Sequence, residues 1–208
     1  MRDIYEIYKP SEKLRFSPFE NKIHNKFMLW HGLKTQSVAS TLRDGFRMPL
    51  AEAAQTGYMF GKGIYFTDCF SKAAAHCIGP NKQQVNRSFM VLSEVALGDM
   101  HKAYAPHQFK KSAPMYCHSV YGVGLQKPKS VGIRDLCQPG PDYLPNELTY
   151  DKPNACFLNM GKIGDNADLE EMPSGQNPPD LKFNDFVVYD ESQVKMRYFV
   201  DFDIILKN

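Results

Sequence analysis

The residues best suited to chemistry stand in two short blocks in the first third of the chain. The block Tyr58-Met-Phe-Gly-Lys-Gly-Ile-Tyr65-Phe66 sets aromatic side chains beside two glycines, and Leu29-Trp-His31-Gly32 precedes it by about one helix and one loop. Glycine lets the backbone approach a ligand closely, and an aromatic face can support a flat ligand. The pattern predicts a ligand-binding site built from both blocks.

Two familiar nucleotide-binding motifs fail in this sequence. The stretch from Gly57 to Lys62 contains the glycines and the lysine of a phosphate-binding loop, but the spacing is wrong and no hydroxyl residue follows Lys62. Gly122-Val-Gly124 lacks the third glycine and the following helix of a dinucleotide-binding fold. The sequence therefore excludes a dinucleotide held by either motif for hydride transfer.

Composition and charge exclude several classes of protein. The chain has 208 residues, of which 43% are apolar and 23% charged, as is usual for a globular protein. A net charge of +2 with scattered basic residues argues against an extended nucleic-acid surface. No apolar stretch approaches the roughly 18 residues of a membrane helix, and the N-terminus lacks the apolar core of a signal peptide. We expect no membrane association, and the sequence carries no signal for the oligomeric state.

The cysteines indicate the compartment. Their number is five, an odd number, and no CxxC motif occurs, so neither a disulfide framework nor a structural zinc site is expected. We expect no bound metal and a reducing nuclear or cytoplasmic location.

Short runs of apolar residues predict a protein rich in strands. They are bounded by turn residues or alternate with polar residues. The predicted strands cover 3–9, 27–30, 63–66, 89–97, 182–189 and 196–206. The second of them should end at His31-Gly32 and deliver His31 to the end of a strand.

Few segments predict helices. Thr35 to Asp44 should form one, with Thr35 as its N-cap and Gly45 as its stop. A second should open at Asp68 or Ser71 and continue to Cys77. Loops are predicted over 10–18 and 119–124, and over the long stretch 139–179, which is dense in Pro, Gly, Asn and Asp. Many strands and few helices predict an α+β fold with packed, mainly antiparallel sheets.

The two blocks, together with Glu94-Val-Ala-Leu-Gly98-Asp99 and Phe186-Val-Val-Tyr-Asp190, resemble the catalytic domain of the poly(ADP-ribose) polymerase (PARP) family. These domains are diphtheria-toxin-like ADP-ribosyltransferases, and the similarity is closest to the DNA-damage-responsive subgroup. The resemblance implies one domain over 1–208, with two split sheets around an NAD cleft and without the helical autoinhibitory subdomain of some relatives. It breaks down across about 136–171, where we expect a loop-rich insertion.

The resemblance also implies roles for individual residues. His31 would hydrogen-bond the adenosine ribose of NAD, and the Gly32 backbone would pair with the nicotinamide carboxamide. Tyr65 would stack on the nicotinamide ring. The other implied members of the pocket are Arg47 near the adenosine, and Tyr58, Gly63, Phe66 and Lys72.

Three positions depart from the family pattern. Ala73 stands where many relatives have a Ser that bonds the carboxamide, and His76 stands where a second Tyr completes an aromatic sandwich. Asp185 replaces the catalytic Glu, which keeps the charge but withdraws it by one methylene, roughly 1.5 Å.

These departures leave several functions open. The first is transfer of a single ADP-ribose unit from NAD, most simply to a protein, with a nucleic-acid end or a small molecule as the alternative acceptor. The second is a weak or inactive relative that binds NAD or ADP-ribose or acts as an interaction module, and the third is a full polymerase. Arg47 fits a solvated residue equally well, and Asp185 could be a solvated turn residue.

Overall fold

The structure is a computed structural model that describes residues 1–20, 22–50, 58–79, 83–106, 112–128, 133–135, 156–159, 163–165 and 179–206. The described elements in chain order are β1 (Asp3–Glu6), α1 (Pro10–Glu20), β2 (Lys26–Leu33), α2 (Val38–Asp44), β3 (Ile64–Phe66), α3 (Phe70–Cys77), β4 (Val85–Ala96), β5 (Met100–Ala103), β6 (Ser119–Gly122), β7 (Gly124–Pro128), β8 (Ile133–Asp135), β9 (Cys156–Asn159), β10 (Ile163–Asp165), β11 (Leu181–Phe183), β12 (Asp185–Val188) and β13 (Val194–Ile205).

The described strands form two larger sheets and a small one. The largest has the order β1-β13-β4-β2-β9-β8, the next β3-β12-β6-β5, and the smallest β10-β7-β11. Most neighbouring strands are antiparallel; the parallel pairs are β2 with β9, β5 with β6 and β7 with β11. This confirms the α+β class, although the expected second sheet is accompanied by a third, small one.

The main core joins the two larger sheets. Leu29 and Val91 from the first sheet and Phe66 and Phe186 from the second belong to one buried cluster. A pair of backbone hydrogen bonds between Trp30 and Thr67, at 2.8 and 3.0 Å, links β2 to the end of β3. The chemistry-bearing blocks are therefore held side by side by a shared core and a shared hydrogen-bonded bridge.

The predicted loop over 10–18 is wrong, because these residues form most of α1. Pro10 occupies the first helical position, where its missing N–H costs nothing. Pro18 cannot donate to the Leu14 carbonyl, and the Ser17 hydroxyl donates to it instead at 3.0 Å. Glu12 then ties the helix to β13 by accepting a hydrogen bond from the Met196 N–H at 2.9 Å.

Three other sequence predictions need correction. His31 lies inside β2, which continues through Leu33, so the strand does not end there. Thr35 does not cap a helix; it begins a 3₁₀ turn that precedes α2. The predicted loop over 119–124 contains β6 and the first residue of β7.

One further prediction is confirmed, and another falls mostly outside the described residues. Gly45 ends α2 with φ 82°, as predicted from its position. The predicted insertion over about 136–171 lies outside the described residues except for β9 and β10, two short strands where long loop was expected.

Candidate active site

One cleft of about 590 Å³ opens between β2, β3, α3 and the start of β12. The eleven residues that the sequence predicts for the site all line it: His31, Gly32, Arg47, Tyr58, Gly63, Tyr65, Phe66, Lys72, Ala73, His76 and Asp185. The predicted meeting of His31, Tyr65 and Asp185 in one cleft is therefore confirmed, although 120 residues separate Tyr65 from Asp185 along the chain.

His31 is held in one tautomer by the neighbouring strand. Its Nδ1 lies 2.7 Å from the Tyr65 carbonyl oxygen, and Phe46 and Phe66 meet its ring edge-on. A carbonyl only accepts, so Nδ1 carries the proton and Nε2 is left as an acceptor. Burial lowers the pKa of His31, which keeps the ring neutral.

The Tyr65 hydroxyl is hydrogen-bonded within the protein, and the Tyr65 ring lines the cleft. The hydroxyl donates to the Gly61 carbonyl at 2.7 Å and accepts from the Phe60 N–H at 2.9 Å. Tyr189 donates to the Phe60 carbonyl at 2.5 Å, so two tyrosines fix this loop. Burial raises the pKa of Tyr65 and keeps its hydroxyl protonated. Tyr58 stands beside Tyr65 with a ring centroid 6.0 Å away.

The glycines serve packing within the protein. A Cβ at Gly32 would lie 2.1 Å from the Ala73 carbonyl oxygen, so Gly32 is what lets α3 lie against β2. A Cβ at Gly63 would lie 2.4 Å from Val187 Cγ1 on β12. At Gly63 the close approach expected of a ligand is thus made by the protein itself. Gly61 adopts φ 85°, which favours glycine.

Asp185 opens β12 and forms an ion pair with Lys72 of α3. Lys72 Nζ lies 2.6 Å from Asp185 Oδ1, and both side chains are only 14% exposed. The same ammonium donates to the carbonyls of Phe183 and Asn184, at 3.1 and 3.0 Å. Burial raises the pKa of Asp185, while Lys72 and then His76 act to lower it. Asp185 is therefore not a solvated turn residue.

The remaining predicted residues lie around the same cleft with different exposure. Ala73 is buried and His76 is exposed, both on α3. Arg47 keeps a side chain that is 63% exposed, yet it forms an ion pair with Glu191 at 3.2 Å. Arg47 is thus exposed to solvent, as one of the two interpretations predicts, but it also has an ion-pair partner.

Sequence reasoning missed the residues that hold Asp185 in place. Asn184 is buried, and its Nδ2 donates to Asp68 Oδ2 at 2.8 Å. Its neighbour in the chain, Asp185, could have drawn attention to Asn184. Nothing in the sequence joins Asp68 to a residue 116 positions away.

No α-helix in the ranges that the structure describes has the length and apolar character of a membrane span. Within the same ranges no group of three or more His, Cys, Asp or Glu side chains is arranged to hold a metal ion.

Comparison with known proteins identifies the family. A family model of the poly(ADP-ribose) polymerase catalytic domain matches residues 1–151. Poly [ADP-ribose] polymerase 1 of Xenopus laevis is 34% identical over 196 residues, which cover 94% of this chain and 17% of that protein. Poly [ADP-ribose] polymerase 1 of Oryza sativa subsp. japonica is 32% identical over 198 residues, covering 95% of this chain and 18% of that protein.

Human poly [ADP-ribose] polymerase 2 is 32% identical over 196 residues, which cover 94% of this chain and 29% of that protein. The chain thus spans less than a third of the length of these relatives. With the family model matching well over half of the chain, the protein belongs to the poly(ADP-ribose) polymerase catalytic-domain family.

Proposed function

We propose that this protein is an NAD-dependent ADP-ribosyltransferase that transfers a single ADP-ribose unit to an acceptor and releases nicotinamide. The observation that carries the proposal is the largely buried Asp185 carboxylate, ion-paired with Lys72 at the cleft that Tyr65 and His31 also line. Burying a carboxylate is costly because the charge loses its hydration. A carboxylate kept at such a position therefore requires a charged partner, and its presence favours a functional role.

The cleft suits NAD in size and in chemistry. Its volume of about 590 Å³ lies within the range of ligand pockets, roughly 300–1,000 Å³. The Tyr65 ring offers an aromatic face for the nicotinamide, since its hydroxyl is already bonded to the protein. Nε2 of His31 can accept a hydrogen bond from a ribose hydroxyl, and the Gly32 backbone can pair with the carboxamide. NAD is the substrate in this proposal, and no metal takes part.

The reaction breaks the bond between the nicotinamide nitrogen and the ribose carbon. Nicotinamide leaves as a neutral molecule with the bonding electron pair, and the ribose carbon gains oxocarbenium-like positive charge. The Asp185 carboxylate stabilises that charge by electrostatics. The acceptor nucleophile then bonds to the same carbon and loses its proton to water.

The shorter carboxylate supports transfer of single units. The relatives named above are called polymerases, whereas Asp185 reaches roughly 1.5 Å less far than a Glu would. A displacement of about 1 Å can cost on the order of a hundredfold in rate, and chain growth requires a second acceptor to be oriented as well. We propose a protein side chain as the acceptor, because the net charge of +2 gives little attraction for nucleic acid.

The proposal is tested with labelled NAD, candidate protein acceptors and nucleic-acid ends, by measuring nicotinamide release and product length. Asp185→Asn should lower release roughly a hundredfold or more, whereas Asp44→Asn, a matched change outside the cleft, should leave it unchanged. Asp185→Glu should raise release and lengthen the product if reach is the limit. Equal release by the wild type and Asp185→Asn would contradict the proposed role of the carboxylate.

A binding module is the second candidate, and it is favoured by the Lys72 ion pair, which already occupies one oxygen of Asp185. Calorimetry separates the two. Saturable NAD binding without nicotinamide release from any acceptor mixture would establish the binding module and overturn the transferase.

A further inference from the structure

The residue that precedes Asp185 is held by hydrogen bonds at both its side chain and its main chain. Asn184 is 1% exposed. Its side-chain oxygen accepts from the Gly124 N–H at 2.9 Å, and its Nδ2 donates to Asp68 Oδ2 at 2.8 Å. Both ends of the amide are therefore used, which also fixes its orientation.

The main chain of Asn184 is bound as well. Its carbonyl accepts from the Thr67 hydroxyl at 2.8 Å and from Lys72 Nζ at 3.0 Å. Since consecutive Cα atoms are held about 3.8 Å apart by a planar peptide, the fixed position of Asn184 limits where the main chain of Asp185 can lie. The network around Asn184 thus restricts the positions open to the Asp185 carboxylate.

Asp68 is the charged end of this network. One of its oxygens, Oδ1, is buried without a hydrogen-bond partner in the part of the chain that the structure describes. Burial raises the pKa of Asp68 to about 6, against the opposing effects of the Asn184 hydrogen bond, the backbone N–H of Asp68 itself, Lys72 on α3 and Lys127 on β7. At neutral pH Asp68 is therefore mostly ionised, and the ammonium that pairs with Asp185 acts electrostatically on Asp68 as well.

Building on the proposed transferase function, we propose that Asp68 is a positioning residue for catalysis. Through Asn184 it sets the place of the Asp185 carboxylate, and it shares the charge of Lys72 with that carboxylate. The consequence is a carboxylate of short reach that is held rigidly by a second, buried carboxylate and one amide.

A swap of the two side chains tests the pair directly. Asn184→Asp alone sets a second carboxylate against Asp68, and should lower kcat for nicotinamide release roughly ten- to a hundredfold with KM within about threefold. Asp68→Asn combined with Asn184→Asp exchanges donor and acceptor, while a carboxylate oxygen remains to accept from Gly124. The double variant should recover kcat to within roughly tenfold of the wild type.

A second measurement does not depend on activity. The titration of the Asp185 carboxyl, followed by carbon-detected NMR, should shift to lower pH in Asp68→Asn, because Lys72 is then left to Asp185 alone. Asp44→Asn serves as the matched control for both measurements and should change neither. Asp68→Asn also covers the case in which Asn184→Asp fails to fold, and it should lower kcat severalfold.

The outcomes are separable. A double variant no better than Asn184→Asp, or an Asp185 titration unmoved by Asp68→Asn, would overturn the positioning role. If the wild type releases no nicotinamide, the proposed function fails, and the titration alone decides whether Asp68 controls Asp185.

Discussion

The two sides of the cleft are built by different means. We call His31 and Tyr65 the neutral wall, and Lys72 and Asp185, with Asn184 and Asp68 behind them, the charged wall. On the neutral wall each polar side-chain contact goes to the main chain, as in the 2.7 Å bonds to the carbonyls of Tyr65 and Gly61. On the charged wall an ion pair of 2.6 Å and an amide–carboxylate bond of 2.8 Å join side chains to one another.

This difference separates the parts of the site that respond to pH. Burial lowers the pKa of His31 and raises that of Tyr65, so both stay uncharged across the neutral range. Burial raises the pKa of Asp185 and of Asp68, which brings carboxyl titrations toward the physiological range. Changes to the charged wall should therefore have pH-dependent effects, and changes to the neutral wall should not.

The largest effect is expected from removing the cation of the charged wall. Lys72→Met leaves the largely buried Asp185 without its partner and removes the ammonium from the carbonyls of Phe183 and Asn184, and should lower the free energy of unfolding by roughly 3–5 kcal/mol. The loss should be larger at pH 8 than at pH 5, because protonation of Asp185 relieves the unpaired charge. Urea unfolding across pH measures both. Lys13→Met, a change at an exposed lysine of α1, is the control, and a pH-independent loss would contradict the role of the ion pair.

Asp68→Asn should reveal the cost of the second buried carboxylate. The folded protein holds the Asp68 proton more tightly than the unfolded chain, since the pKa rises from 3.8 to about 6. That contribution to stability is complete below about pH 4 and is lost as the pH rises through about 6. Above pH 6 the variant should therefore be more stable than the wild type, by up to roughly 3 kcal/mol.

Asp44→Asn gives the contrasting case for the same measurement. The hydrogen bond and charge of Arg43 lower the pKa of Asp44, so its loss should slightly destabilise the protein at neutral pH and have no effect in acid. An Asp68→Asn variant that is less stable than the wild type at pH 8 would show that Asp68 is stabilising when ionised.

Gly32→Ala tests the packing of α3 against β2, next to His31 of the neutral wall. The new methyl group would lie 2.1 Å from the Ala73 carbonyl, so α3 must move away from β2. We expect a loss of roughly 1–3 kcal/mol that does not depend on pH. Gly79→Ala is the matched control, because nothing lies within 4 Å of a Cβ there. Equal stability of the two variants would mean that α3 adjusts freely.

The glycines also show how far sequence reasoning reaches. Local blocks predicted every cleft residue of the neutral wall, and the strand pattern predicted the fold class. Gly122 and Gly124 led to the wrong prediction of a loop, because glycine is common in turns. In the structure Gly122 packs against Phe60 and Gly124 against Phe183, where a Cβ would lie 2.4 and 2.3 Å from the nearest atom.

Long-range partners explain the other misses. The sequence predicts a loop in place of helix α1, because its two prolines are local signals for a loop. The hydrogen bond from Met196 of β13 to Glu12, which holds the helix, joins residues 184 positions apart. The contact between Asp68 and Asn184 could not be predicted from the sequence for the same reason, because 116 positions separate them. A polar residue is informative in sequence when its neighbours form a pattern, as at Lys72 and Asp185, whereas Asp68 and Asn184 are brought together only by the fold.

The smallest effect is expected at Ala73 and His76, two cleft positions on α3 that depart from the family pattern. Benzamide-type inhibitors copy the nicotinamide ring and its carboxamide, and Ala73 and His76 both line the cleft. Ala73→Ser combined with His76→Tyr adds a hydroxyl and a larger stacking face, and should tighten inhibitor binding by roughly 1–2 kcal/mol in calorimetry.

The two changes should contribute differently to that gain. Ala73 is buried in a helix, so a serine hydroxyl there can bond the Cys69 carbonyl one turn back, and this competes with the inhibitor. His76 is exposed, so a tyrosine ring gains its contacts only when the inhibitor is bound. We therefore expect His76→Tyr alone to give the larger share. Ala75→Ser, on the exposed side of the same helix, should give nothing, and a double variant that binds no tighter would place the carboxamide away from α3.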